Sequence, residues 1–293
     1  MGSLETINNS SCVLLQQKTK LRVLKKSLRR IARDDNILII ATLDAASRSL
    51  FDLFIESFRV GERTDVLLRH LLVLATDQKA LEHCRSSHMH CHLLGAEGNS
   101  KRSAADDGHV MMRQLEFQQT LVELGYSFIY TDLDVMWFRI PWHHLESGTY
   151  LGFATDLFEG DAKSLQNVPN GGLMYVKACS NNVELYKYWK LLCKQYPTAD
   201  RQSILSKGLA DGVVPFNLRF QFLDTANFGG FCQPRGEPSK VCTVQANCCG
   251  SAEEKVRGLR SLIQDWNKYR SISMEEKEGG GGFSWSNTSR CEQ

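Results

Sequence analysis

The stretch Ser127–Arg139, SFIYTDLDVMWFR, sets the strongest constraint on what this chain can become. An apolar run enters, ends in Thr131-Asp132-Leu133-Asp134, and leaves through Val135, Met136, Trp137 and Phe138. In an extended chain residues i and i+2 point to the same side, so Asp132 and Asp134 can meet at one end of a buried strand. Carboxylates set against a core are unfavourable unless something offsets their charge. A metal ion, a lysine, an arginine or a shared proton must stand beside them. Two hard oxygen ligands in that position suit a divalent cation, which would in turn bind a diphosphate.

Similar apolar runs recur at Ile37 to Thr42, Leu71 to Thr76 and Tyr126 to Tyr130. Helical apolar spacing separates them over Leu50 to Arg59, Gln78 to Cys84 and Val110 to Leu124, with a short strand at His92 to Leu94 and a mobile loop at Gly95 to Gly108. This alternation predicts a doubly wound α/β sheet. Ligands of such sheets bind outside the carboxyl ends of the strands. The three strong strands end at Thr42 or Asp44, at Asp77 and at Asp132, which puts polar residues on one rim. Further strands follow at Tyr150 to Thr155, ending at Asp156, and at Gly172 to Val176, preceded by Pro169-Asn170-Gly171. Helices are expected over Asn182 to Tyr196, Ser203 to Leu209 and Glu253 to Tyr269. Short strands and glycine-rich turns fill 211–249. The expected organisation is a flexible N-terminus with a basic amphipathic helix (1–36), one α/β domain (37–272) and a flexible tail (273–293). The basic helix carries Leu21, Leu24, Leu28 and Ile31 at helical spacing. That stripe can dock it on the domain or lay it on a membrane surface.

A net charge of +2 gives no bulk attraction to nucleic acid. No run of 18 apolar residues is present, so no span is expected, and the first 30 residues lack a secretory pattern. As written, the chain would stay in the cytoplasm. Its ten cysteines pull the other way. The Cys232 to Cys249 cluster reads as a crosslinked subregion, and Cys84 can pair with Cys91. Zinc on Cys84, His88, His90, Cys91 and His92 is the rival, with loose spacing. Asn8, Asn9 and Asn287 stand in glycosylation sequons.

Several ordered motifs resemble a known family. They include Phe51-Asp52-Leu53-Phe54-Ile55-Glu56-Ser57-Phe58, Glu123-Leu124-Gly125-Tyr126, Asp132-Leu133-Asp134-Val135-Met136-Trp137-Phe138-Arg139 and Pro169-Asn170-Gly171-Gly172. Later come Phe222-Leu223-Asp224-Thr225, Phe228-Gly229-Gly230-Phe231-Cys232 and Ala246-Asn247-Cys248-Cys249. From about Ile37 to Tyr269 the chain resembles the plant nucleotide-diphospho-sugar transferases of glycosyltransferase family 77, which include extensin arabinosyltransferases and pectin xylosyltransferases. The resemblance implies a GT-A-like single Rossmann-type sheet with a smaller acceptor-side subregion and a C-terminal helix. It implies a UDP-sugar donor, Mn²⁺ or Mg²⁺ on Asp132 and Asp134, retention at the transferred carbon, and a Golgi-lumenal location. Four departures stand out. Gln245 replaces a histidine that would complete the metal shell, and Arg201 replaces an acidic residue before Gln202. The Ser103-Ala104-Ala105 and Met111-Met112-Arg113-Gln114 stretch is altered, and Val168 replaces a basic residue.

With that resemblance, Asp132, Asp134 and Gln245 are the metal candidates, and Thr42, Asp44, Asp132, Gly171 and Gly172 the donor-binding ones. Asp156 and Asn170 would hold the donor sugar, and Gln202 would face its reacting carbon. Asp224, Thr225, Gly229 and Gly230 would line the acceptor side. Each has a plainer reading: an Asp132–Arg139 ion pair, a turn at Asn170-Gly171-Gly172, helix caps at Asp44 and Asp200. Two functions follow. One is a metal-dependent retaining transferase moving a pentose or galactose to a cell-wall glycan or glycoprotein. The other is a catalytically weak or inactive binding module for a nucleotide sugar, a glycan or a protein partner.

Overall fold

The structure is a computed structural model that describes residues 21–32, 34–94, 104–233, 236–273, 283–286 and 291. A seven-stranded sheet runs β3-β2-β1-β4-β7-β6-β8. It is built from β1 (Ile37–Leu43), β2 (Leu71–Ala75), β3 (Cys91–Leu93), β4 (Ser127–Thr131), β6 (Leu151–Thr155), β7 (Pro169–Val176) and β8 (Phe220–Phe222). The half formed by β3, β2, β1 and β4 is parallel. Strand β7 then runs antiparallel to both β4 and β6. A second sheet, β5-β10-β9, joins β5 (Val135–Trp137), β10 (Thr243–Gln245) and β9 (Phe228–Gly230). The expected α/β architecture with one main sheet and a smaller subregion is the one observed.

The strands form because their apolar runs supply both faces of a buried sheet at once. In β1, Ile39, Ala41 and Leu43 enter one core while Leu38 and Ile40 enter the other. Helices α2 (Arg48–Val60), α3 (Gln78–Ser87) and α7 (Ala252–Ser271) cover the first face. Helices α4 (Ala104–Glu123), α5 (Ser180–Gln195) and α6 (Arg201–Gly212) cover the second. The basic helix is α1, described over 21–31. Its Leu28 and Ile31 are buried in the second core and Leu24 packs against it, while Leu21 is exposed, so the later part of the stripe docks the helix on the domain. Trp137 and Phe138 are also fully buried, stacked on Phe58 and Trp266 respectively, and act in packing.

Two sequence expectations are revised. Strand β7 begins at Pro169 and not at Gly172, so Pro169-Asn170-Gly171 is part of the sheet, and the β6–β7 register shifts between Phe153 and Ala154 opposite it. The stretch expected as a loop to Gly108 is helical from Ala104. The expected Cys84–Cys91 pairing is present as a disulfide, which removes the rival zinc reading of the histidine loop. His88 donates instead to the Leu71 carbonyl at 2.8 Å. Further disulfides join Cys232 to Cys248 and Cys249 to Cys291. In the 273–293 stretch, Phe283 and Trp285 lie against the first core and Ser286 bonds to Asp265. The sequons lie outside the described residues. No helix among the described residues is long and apolar enough to cross a membrane.

Candidate functional site

The strand order reverses at β1 and β4: from β1 the chain goes outward to β2, and β4 then returns to the other side of β1. Such a switch opens a crevice beyond the carboxyl ends of the two strands. Asp132 and Asp134 stand in it. The Asp132 amide bonds to the Gly172 carbonyl at 2.7 Å, and the Ala246 amide to the Asp134 carbonyl at 2.9 Å. The acidic pair is thereby fixed between β7 and β10.

Each carboxylate has its own cation. Arg201, at the first turn of α6, contacts Asp132 Oδ1 at 3.1 Å. Tyr130 donates its phenol to the same oxygen at 2.7 Å. Lys255, in the second turn of α7, contacts Asp134 Oδ2 at 2.6 Å. Gln245 Nε2 donates to Asp134 Oδ1 at 3.2 Å. The Asp134 side chain is 8% exposed and that of Asp132 is 35% exposed. Burial, and secondarily the charge of Asp132, push the Asp134 carboxyl above the usual carboxylate range, while Lys255 and Gln245 pull it back. Burial likewise raises the Tyr130 phenol, so it stays a donor. Arg139, the base nearest in sequence, is engaged elsewhere, with Glu62 at 2.9 Å and with the Pro238 and Val241 carbonyls.

A polar chain continues from Gln245. Its Oε1 accepts from Asn170 Nδ2 at 2.9 Å, and the same nitrogen lies 2.5 Å from Asp156 Oδ1. Asn247 Nδ2 also donates to Asp156 Oδ1, at 2.7 Å. Asn170 Oδ1 takes the Gly172 amide at 2.7 Å. Asn247 Oδ1 takes the Phe231 amide at 2.7 Å and the Cys232 amide at 3.3 Å. Glycines make this approach feasible. A Cβ at Gly172 would strike the Gln245 amide, and one at Gly230 would strike Asn247. A Cβ at Gly171 would sit 2.8 Å from Arg201 Cδ.

The sequence candidates therefore separate. Asp132, Asp134, Asp156, Asn170, Gly171, Gly172, Gly230 and Gln245 come together in one network. Thr42 lies at the end of β1 with its hydroxyl buried. Asp44 accepts the Ser47 amide at 2.7 Å and shapes the turn into α2. Gln202 is exposed in the first turn of α6, next to the Asp200 cap, which accepts the Ser203 amide at 2.8 Å. Asp224 is exposed and accepts the Ala226 amide at 2.8 Å, with Thr225 and Gly229 half-buried beside it. Sequence reasoning missed Arg201 as a partner, and Lys255, Tyr130 and Asn247 as site residues. The demand for a countercharge beside Asp132 and Asp134 was the one available signal.

As a ligand set for a divalent ion these residues do not fit. Both carboxylates carry ion pairs, and the side chain in the third position turns an N–H group toward Asp134. Among the described residues no three of His, Cys, Asp and Glu gather as a metal site.

Residues 66–259 match the family model described as nucleotide-diphospho-sugar transferase. An Arabidopsis thaliana relative named Uncharacterized protein At4g15970 is 36% identical over 281 residues, covering 92% of this chain and 74% of that one. A second from the same plant, Uncharacterized protein At1g28695, is 30% identical over 236 residues, covering 78% and 70%. Among solved structures, the galactosyltransferase LgtC in complex with donor and acceptor sugar analogs aligns at 14% identity with a TM-score of 0.48. That alignment covers 82% of this chain and 99% of LgtC.

Proposed function

Because the chain belongs to the nucleotide-diphospho-sugar transferase family, we propose that it transfers a glycosyl group from a UDP-sugar to a glycan or glycoprotein hydroxyl. The observation that carries this reading is the polar network at the switch point. It gathers Asp132, Asp134, Asp156, Asn170, Gln245 and Asn247 from the ends of separate strands. In this reading the diphosphate lies over the ends of β4 and β10. Asp156 and Asn170 take the donor sugar hydroxyls. Their present bonds fix the carboxylate and amide in place before the sugar arrives, which favours orientation over reorganisation. Gln202, exposed at the start of α6, faces the reacting carbon in a retaining transfer. Asp224, Thr225, Gly229 and Gly230 receive the acceptor. A pentose or galactose donor and a cell-wall acceptor follow from the resemblance to the arabinosyl- and xylosyltransferases. Three disulfides favour an oxidising compartment, which agrees with the Golgi lumen.

The test is transfer and donor hydrolysis with UDP-arabinofuranose, UDP-xylose and UDP-galactose against varied glycan acceptors. Turnover that disappears in a folded Asp156→Ala variant is expected. A folded protein that neither binds UDP nor turns over any donor refutes the proposal. A second reading, a nucleotide-sugar or glycan binding module, draws on the Arg201–Asp132 pair and on Gln245. Saturable UDP-sugar binding without product under every acceptor condition selects it.

A further inference from the structure

The rim of β4 carries its charge and its countercharge together. Asp132 and Asp134 bring two negative charges, and Arg201 and Lys255 bring two positive ones in direct contact. A divalent ion entering between the carboxylates would have to displace an ammonium 2.6 Å from Asp134 and a guanidinium 3.1 Å from Asp132. It would also meet the Gln245 amide nitrogen, which repels a cation instead of coordinating it.

Arg201 is built into the site. Its guanidinium bonds to Gln114 Oε1 at 3.2 Å and to the Gly171 carbonyl at 3.4 Å, and it lies over the Tyr130 ring at 5.0 Å. Gln114 is itself buried, and the missing side chain at Gly171 leaves room for the Arg201 stem. The two cations also stand nearer to solvent than the deeper carboxylate. Their side chains are 33% and 30% exposed, against 8% for Asp134. Lys255 thus covers Asp134, so an anion arriving at that end of the rim meets an ammonium before a carboxylate. Guanidinium N–H groups suit phosphate oxygens, and a stacked, hydrogen-bonded guanidinium is already oriented.

We propose that this protein binds a nucleoside diphosphate without a divalent cation, Arg201 and Lys255 taking the electrostatic place of the metal. The proposal rests on the nucleotide-sugar reading above and concerns the same site. It makes Gln245 and Arg201 parts of one exchange: the metal's third ligand is gone, and a fixed positive charge stands where the ion would act.

The experiment is calorimetric titration of UDP into the purified protein, in EDTA and separately in Mn²⁺. The expected Kd values agree within about threefold, since the site already holds its positive charge. Arg201→Gln should weaken UDP binding in EDTA by about tenfold or more, and Mn²⁺ should restore part of the loss by binding the released Asp132. Arg201→Lys should keep part of the metal-free affinity, because charge remains while the fork is lost. Melting curves verify that each variant is folded, and Lys255→Gln serves as a second probe should Arg201→Gln unfold. UDP binding that requires Mn²⁺ in the wild type overturns this proposal and leaves the transferase reading intact. Unchanged UDP affinity in folded Arg201→Gln and Lys255→Gln overturns it too. Failure to bind UDP in either condition overturns both.

Discussion

Replacing Lys255 by methionine isolates the value of one ion pair. The side chain keeps its unbranched apolar stem and loses its charged tip, leaving Asp134 buried with Gln245 as its remaining side-chain donor at 3.2 Å. Two limits bracket the effect. Removing one partner of a fully buried pair costs about 3–5 kcal/mol. Lys255 is 30% exposed, so water screens part of the attraction and the figure falls. The second limit is chemical, because Asp134 can escape its charge by taking a proton. From an unfolded-state pKa of about 3.9, protonation at pH 7 costs roughly 4 kcal/mol, at about 1.36 kcal/mol per pH unit. The expected loss at pH 7 is therefore about 2–3 kcal/mol.

The pH dependence follows in sign. The folded-state pKa of Asp134 is raised, so the native state holds this proton to higher pH than the unfolded chain does. The contribution to stability is fully present below the unfolded value and is lost as pH rises through the folded one. Lys255 lowers the Asp134 pKa, so Lys255→Met raises it further and moves the upper edge of that window to higher pH. Urea denaturation of both proteins at a series of pH values from mildly acidic to neutral measures this. The destabilisation should shrink steadily as pH falls. A loss below about 0.5 kcal/mol at pH 7, or one independent of pH, would refute the claim that Asp134 depends on Lys255 for its charge.

Gln245→His should tighten Mn²⁺ binding about tenfold in the presence of UDP, since it replaces an amide with an imidazole nitrogen that can ligate the ion beside Asp134. Mn²⁺ titration at fixed UDP and pH checks it, and unchanged binding would mean that a side chain at 245 cannot serve the pair. Gly172→Ala should displace the Gln245 amide and with it the bonds to Asn170 and Asp134. The expected cost is about 1–3 kcal/mol in denaturant, together with weaker UDP binding. Joint replacement of Cys232 and Cys248 by serine releases a 16-residue loop and should cost about 3 kcal/mol in denaturation without reductant.

The parallel half of the sheet was legible because β1, β2 and β4 are apolar on both faces, a pattern few other structures produce. Strand β5 was not, because Val135-Met136-Trp137 is a run of only three residues that resumes directly after the acidic pair, with no local strand signal of its own. It becomes a strand only by pairing with β10, more than a hundred residues later. Pro169-Asn170-Gly171 carries turn chemistry, yet pairing with β6 draws it into β7. In the site, the acidic pair and its need for countercharge could be read from spacing and surroundings. Arg201 was visible only as a departure from a familiar pattern. Lys255 had no local signal, since a lysine in the first turns of a helix is ordinarily a solvated one.

The bond from Lys255 to Asp134 spans 121 positions of chain. A ribosome adding about 5–20 residues per second exposes the acidic pair roughly 6–24 seconds before its ammonium partner exists. During that interval β1, β2 and β4 can pair, but the buried carboxylate at the end of β4 has no Lys255 to meet it. Its partner comes only with α7, which carries its own capping box of Ser251 and Glu254 and donates from Trp266 to the Val60 carbonyl. A chain that stopped before residue 255 would bury this carboxylate without its ammonium partner.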